Sequence, residues 1–295
     1  MRLIRSMAVL FAASALLVGC SEDPPAPPAP VVVSFDDGWG QVFVMNADGT
    51  GLRQVTPTVA EDMSDGMYAN YTALSPDGTQ LVYTRAGRTL EAVDLASGES
   101  RTLHEGGYQP AFSPDGSMIA FTSGGSISVM NADGSDVRVV AQEDSAFGSS
   151  FSPDGSRILF DIAGYILEVP ASGGESTVIL RDQFWNADAV YSPDGSTLVF
   201  SSNRGGNNGS EIYSMPVGGG EITQLTTTYA VHPEFSPDGS RIFYTRATTQ
   251  SGELVTDIGL SNRAELASMN LDGSDQKRLT PRSITGQNPS IGGGR

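Results

Sequence analysis

The chain has 295 residues, with 17 basic against 34 acidic side chains, 35 glycines, 17 prolines and a formal net charge of −17. An apolar content of 39% supports a core in one large domain or two small ones, and Gly plus Pro runs above the ordinary ~12%, which points to many tight turns and a β-rich chain. The acidity excludes a nucleic-acid partner or an anionic lipid surface, while one cysteine and two histidines exclude a disulfide framework and a cysteine-rich zinc site and leave little for histidine-ligated metal.

Residues 1–19 read as a signal peptide. Arg2 and Arg5 form a positive n-region, and residues 7–17 form an apolar stretch too short to span a bilayer. The stretch ends in Leu17-Val18-Gly19-Cys20, which resembles the lipobox of bacterial lipoproteins. That resemblance implies that Cys20 is diacylated and becomes the mature N-terminus, an anchor in which each buried CH₂ contributes about 0.8 kcal/mol. By analogy with Gram-negative sorting, Ser21 favours the outer membrane, with the periplasmic and the surface face both open. Residues 20–30 join the anchor to the rest. The run SEDPPAPPAP is an extended spacer that reaches roughly 30 Å at about 3.1 Å per residue. No later apolar stretch approaches transmembrane length, so the chain beyond the spacer is expected to be soluble.

Beyond the spacer a repeat dominates. Ser-Pro-Asp-Gly begins at Ser75, Ser113, Ser152, Ser192 and Ser236. A period near 40 residues signals a propeller or a solenoid. Ser, Pro and Gly at these places suit a type I turn, and the final Gly suits the positive φ of a bulged hairpin. Each turn follows an apolar residue (Leu74, Phe112, Phe151, Tyr191, Phe235) and precedes an apolar triplet such as Ile119-Ala120-Phe121. Three consecutive apolar residues in a strand imply burial on both faces of the sheet. A second turn recurs about twenty residues later, clearest at residues 45–49, 130–134 and 269–273, and another short strand follows it, as at 52–56 and 222–226. Each unit is therefore four strands joined by tight turns. The chain starts at Val31 with what aligns as a second strand, and the tail from Asn288 aligns with the inner strand that begins at His232. The C-terminus is thus expected to supply the inner strand of the first blade. The expectation is an all-β, six-bladed propeller of four-stranded antiparallel blades over residues 31–295.

This pattern resembles the TolB-type, WD-like β-propeller repeat over nearly all of the chain past the spacer. The resemblance implies a protein contact made on the propeller, in the style in which TolB holds a peptidoglycan-associated partner. The ten residues between Cys20 and the first strand leave no room for the α/β domain that precedes the propeller in TolB.

Catalytic signals are lacking in the sequence. There is no G-x-S-x-G elbow, no P-loop and no H-E-x-x-H, so no enzyme activity, no metal and no cofactor is expected. The residues four before each turn serine are Tyr71, Gln109, Gly148, Asp188, His232 and, in the terminal copy, Asn288; the candidate binding residues are the five of these other than Gly148, together with Glu234. They are expected around one mouth of the central channel, with Glu234, Trp185, Asn186 and Tyr68 as neighbours. A competing reading is that strand starts are near solvent in any propeller. Asp188, His232 and Glu234 as a metal set are read as a chance combination in an acidic chain. Asp77, Asp115, Asp154, Asp194 and Asp238 are read as caps of their own turns. His104 falls in an outermost strand, and Trp39 at a hairpin tip. Residues 248–261 are extra relative to the other repeats and are either a binding loop or a neutral insertion.

The expected function is a lipid-anchored, non-catalytic protein-interaction module of the cell envelope, with another envelope protein as partner and the membrane reached through the N-terminal lipid. The alternatives are a small ligand or carbohydrate at the channel mouth, or a structural spacer. Some pectin-degrading lyases carry similar propeller repeats but rely on several metal-binding histidines, and only one of the two here falls near the rim.

Overall fold

The repeated turn is the unit from which the architecture grows. In each Ser-Pro-Asp-Gly copy the glycine N–H donates to the serine carbonyl at 2.8 Å, and the serine N–H donates two residues past the glycine at 2.8–2.9 Å. The glycines sit at φ of 71° to 72°, as the bulged hairpin requires. The serine hydroxyl donates to the aspartate carboxylate at 2.5–2.6 Å. It also accepts the backbone N–H five residues on at 2.9–3.0 Å. Each aspartate further accepts from the residue after the glycine, always Ser or Thr. These bonds hold the carboxyls below their ordinary range, Asp154 and Asp194 at about 2.

The computed structural model describes residues 30–56, 69–85 and 88–294. They form six four-stranded antiparallel sheets. The first contains β1 (Val32–Asp36), β2 (Val42–Asn46) and β3 (Arg53–Gln54); the second β4 (Ala69–Leu74), β5 (Gln80–Arg85), β6 (Thr89–Asp94) and β7 (Ser100–Glu105). The third contains β8 (Gly107–Phe112), β9 (Met118–Ser123), β10 (Ser126–Asn131) and β11 (Arg138–Ala141); the fourth β12 (Phe147–Phe151), β13 (Arg157–Ile162), β14 (Tyr165–Pro170) and β15 (Thr177–Leu180). The fifth contains β16 (Asn186–Tyr191), β17 (Thr197–Ser202), β18 (Glu211–Pro216) and β19 (Thr223–Gln224); the sixth β20 (Ala230–Phe235), β21 (Arg241–Thr248), β22 (Arg263–Asn270) and β23 (Lys277–Arg278). The last strand, β24 (Gln287–Gly292), pairs antiparallel with β1 and completes the first blade. Each inner strand packs against the next, and β20 packs against β24, so the ring closes. Among the described residues no helix is long and apolar enough to cross a membrane.

The apolar triplets do what their pattern predicts. In β13, Ile158 and Phe160 pack with the third blade while Leu159 packs with the fifth. In β17, Leu198 and Phe200 face the fourth blade and Val199 the sixth. The core is accordingly six apolar layers between blades, including one that joins Val33 and Phe35 of β1 to Phe243 of β21. The first blade departs from the pattern at Ser34, which is fully buried and bonds the hydroxyl of Thr72 at 2.8 Å. The outer strands of the first and fifth blades are shorter than the sequence suggests: those expected at 52–56 and 222–226 are two residues each.

Candidate functional site

Inner strands of a propeller line its axis. Here they enclose a cavity of about 320 Å³ lined by Tyr71, Gln109, Asp188, His232, Glu234 and Asn288. It runs from these residues toward the prolines of the repeated turns, among them Pro76 and Pro237, at the other end of the channel. The structure thus brings all six candidate rim residues to one cavity. Tyr68 and Cys20 lie outside the described residues.

What places these side chains is a feature of the backbone. Tyr71, Gln109, Gly148, Asp188, His232 and Asn288 all have φ between 48° and 62°. Each occupies a bulge where the pairing of the inner strand with its neighbour slips. A left-handed residue favours Asn, Asp, His and Gly, which accounts for four of the six identities without any ligand. The bulge also frees a backbone N–H, and the preceding blade takes it. Tyr71 donates to Asp36 Oδ2 at 3.2 Å, Gln109 to Thr84 Oγ1 at 3.2 Å, and Asp188 to Asp161 Oδ1 at 3.4 Å. His232 donates to Ser201 Oγ at 3.3 Å and Asn288 to Thr245 Oγ1 at 3.1 Å. The acceptor is the residue after the second strand's apolar triplet, or, for Asp36, after the Val33-Ser34-Phe35 that stands in its place. At the sixth joint Gly148 donates to Gln109 Oε1 at 2.9 Å instead, and the matching Thr122 hydroxyl is buried without a partner. The signal for this ring, Asp, Thr or Ser at a fixed place after each triplet, is visible in the sequence.

Electrostatically the channel is acidic. Asp36 is fully buried, which raises its carboxyl. Bonds from Asn288 Nδ2 at 2.7 Å, Gln287 Nε2 at 3.0 Å and the N–H groups of Gly38 and Tyr71 oppose that rise. Asp161 is raised well above the carboxylate range by burial and by neighbouring Asp188. Glu234 is pushed up to about 8 by desolvation in the channel. Burial and the charges of Asp188 and Asp36 raise the Tyr71 phenol. Asp188 accepts from Ser201 Oγ at 2.8 Å and lies 3.7 Å from His232 Nε2, while His232 Nδ1 is buried without a partner. Among the described residues no three His, Cys, Asp or Glu side chains converge as a metal site; Glu234 does not join the Asp188–His232 pair in one.

The face where the inner strands begin also carries exposed apolar side chains. Trp39, in the β1–β2 hairpin, is 63% exposed and Trp185, before β16, is 55% exposed. Phe147 is exposed beside Tyr108, whose ring also holds the Arg88 guanidinium. The extra segment in the β21–β22 hairpin belongs to this face. Its Val255 is buried and accepts from the Tyr229 N–H at 2.8 Å, and Ile258 donates to the Asn208 carbonyl at 2.9 Å. The segment therefore leans on the fifth blade and leaves Leu254, Ile258 and Leu260 exposed. Asn186 is not a channel residue. It is fully buried and brackets its own loop through Asp182, Phe184 and Arg204. His104 lies in the outermost strand β7 and packs on Phe121.

A model of the TolB beta propeller domain matches residues 126–293. Tol-Pal system protein TolB of Francisella tularensis subsp. mediasiatica (strain FSC147) is 31% identical over 96 residues, 32% of this chain and 19% of that protein. The match thus spans about a fifth of the length of this curated relative. Among solved structures, TolB from Acinetobacter baumannii aligns with a TM-score of 0.71 at 19% identity, over 89% of this chain and 66% of that one. An oligogalacturonate lyase in complex with manganese aligns with a TM-score of 0.55 at 18% identity, over 81% and 70%. At these identities the structural likeness is one of fold.

Proposed function

The chain belongs to the TolB β-propeller domain family, and from that premise we propose that it is a non-catalytic protein-interaction module of the cell envelope. Residues 1–19 are its signal peptide, Cys20 its lipidated anchor and residues 20–30 the spacer that carries the propeller of residues 31–295. The rim residues Tyr71, Gln109, Asp188, His232, Glu234 and Asn288 form the floor of the binding mouth. One observation carries this reading: Trp39, Phe147, Trp185, Ile258 and Leu260 are exposed on the face where the channel opens. Exposed aromatics grouped on one face are costly to keep in water and suit a protein contact. Membership of a family that includes a Tol-Pal system protein supports an envelope partner.

The test is crosslinking in cells of the lipidated protein and of a Trp39→Ala/Trp185→Ala variant. The expected result is one or more envelope proteins enriched over an unrelated anchored control, and lost in the variant. Equal capture by the control overturns the reading.

A further inference from the structure

Two residues beyond each left-handed position, the inner strands present a second level of side chains to the channel. They are Ala73, Ala111, Ser150, Val190, Ser290 and Glu234. Five are small, and the sixth is a carboxylate that faces the space the others leave. Glu234, half-buried on the channel wall, makes no hydrogen bond or ion pair among the described residues. The buried carboxylates differ in this respect. Asp36 and Asp161 accept backbone N–H groups, Glu91 a threonine hydroxyl, Glu211 an asparagine amide, and Glu168 and Glu265 pair with arginine. Asp161 and Asp188 line the same cavity, and no arginine or lysine among the described residues does so. The channel therefore holds acids without an internal countercharge, next to room for a ligand.

Resting on the proposal that the mouth docks a protein, we infer that the channel takes a cationic side chain of that partner, a Lys ammonium or Arg guanidinium reaching Glu234 and Asp188 from the mouth. A divalent ion fits less well, since it needs several oxygens converging on one point and among the described residues no three acids do so. An anion finds no arginine or lysine in the described lining and meets the carboxylates of Glu234, Asp161 and Asp188. A neutral group brings no countercharge to the Glu234 carboxylate. An organic cation on a long apolar stem supplies the charge and several N–H donors, and its stem passes small side chains on the way. Tyr71 and the imidazole of His232 line the entrance.

Isothermal titration of the folded propeller with blocked Gly/Ser peptides carrying a single Lys, Arg, norleucine or Glu tests the inference. The Lys or Arg peptide should bind at least tenfold more tightly than the norleucine and Glu peptides. Glu234→Gln should remove that advantage while the protein keeps its cooperative unfolding. Because the Glu234 carboxyl is held at about 8 in the free channel, cation uptake displaces its proton. Affinity should therefore rise between pH 6 and 9. Asp161, Asp188 and His232 also face the site, and burial raises the Asp161 carboxyl too, so Asp161→Asn and His232→Asn controls should each retain the rise and Glu234→Gln should remove most of it. Equal binding of the Arg and norleucine peptides overturns the inference. So does heat from calcium chloride that Glu234→Gln abolishes when the cationic peptides give none. A partner captured in cells equally by the wild type and Glu234→Gln also overturns it, and leaves the docking face itself standing.

Discussion

The Ser152 hydroxyl donates to Asp154 and accepts the Arg157 N–H, so one buried oxygen serves both the turn and the first rung of its hairpin. Ser152→Ala removes both bonds and leaves a donor unpaired. The expected cost is about 1–2 kcal/mol, read as a lower urea midpoint at unchanged m. The Asp154 carboxyl, at about 2 against an ordinary 3.8, contributes stability that is full above the ordinary value and is lost as pH falls through about 2. Glu234 has the opposite sign. Its carboxyl lies near 8 against an ordinary 4.5, so folding carries no penalty from it below 4.5 and loses stability as pH rises through about 8. Glu234→Gln should therefore match the wild type in urea midpoint at pH 4.5. At pH 9 it should exceed it by about 1–3 kcal/mol, less than the full shift implies because channel water screens the charge. An equal gap at both pH values would place the effect in packing instead of ionisation.

At the scale of the strand, the left-handed residue is the hinge of the design. Its bulge turns a backbone N–H toward the preceding blade, and five of the six joints use that bond directly. His232 serves to isolate the backbone contribution, because among the described residues its imidazole makes one polar contact, at 3.7 Å to Asp188, and no hydrogen bond through Nδ1. His232→Gly and His232→Val both lose the ring, but only valine must place a β-branched side chain at φ near 52°. The valine variant should unfold about 1–2 kcal/mol more easily than the glycine one. Equal stabilities would show that the bulge carries no strain for a branched residue. Strand order, turn type, the two-sided burial of Ile158-Leu159-Phe160 and the closure by β24 are local patterns, so all were legible in the sequence. The bulge was not. The polar character of Asp188 and Asn288 was visible, but that character fits a wet channel mouth and a positive φ equally well. Only the pairing with the neighbouring blade separates the two. The lean of residues 248–261 onto Asn208 was equally hidden, since it depends on contacts between blades that no spacing encodes.

Across the whole molecule the six apolar layers leave the axis hollow, so the packing that holds the blades together lies away from the channel. The layers hold the blades, and the ring is closed by Asp36, which grips Gln287 and Asn288 of β24. The ends of the described chain meet on one face. Val31 accepts from the Ala47 N–H at 3.0 Å, and Gly293 donates to the Pro76 carbonyl at 3.0 Å, both beside the repeated turns. Trp39, Trp185 and the extra loop lie on the opposite face. A spacer of residues 20–30 attached to a lipid at Cys20 would therefore reach the turn face first and present the channel mouth away from the membrane. A photo-crosslinking amino acid placed at Trp185 should then capture the envelope partner in cells, whereas the same probe at Leu271, exposed among the repeated turns, should not. Under the proposed lipidation, Cys20→Ser should move the protein from the membrane to the soluble fraction and weaken capture at position 185, because an anchor there would concentrate the mouth near a partner. Capture from position 271 and not from 185 would assign the contact to the turn face, and membrane association that survives Cys20→Ser would show that the lipid is not what holds the protein there.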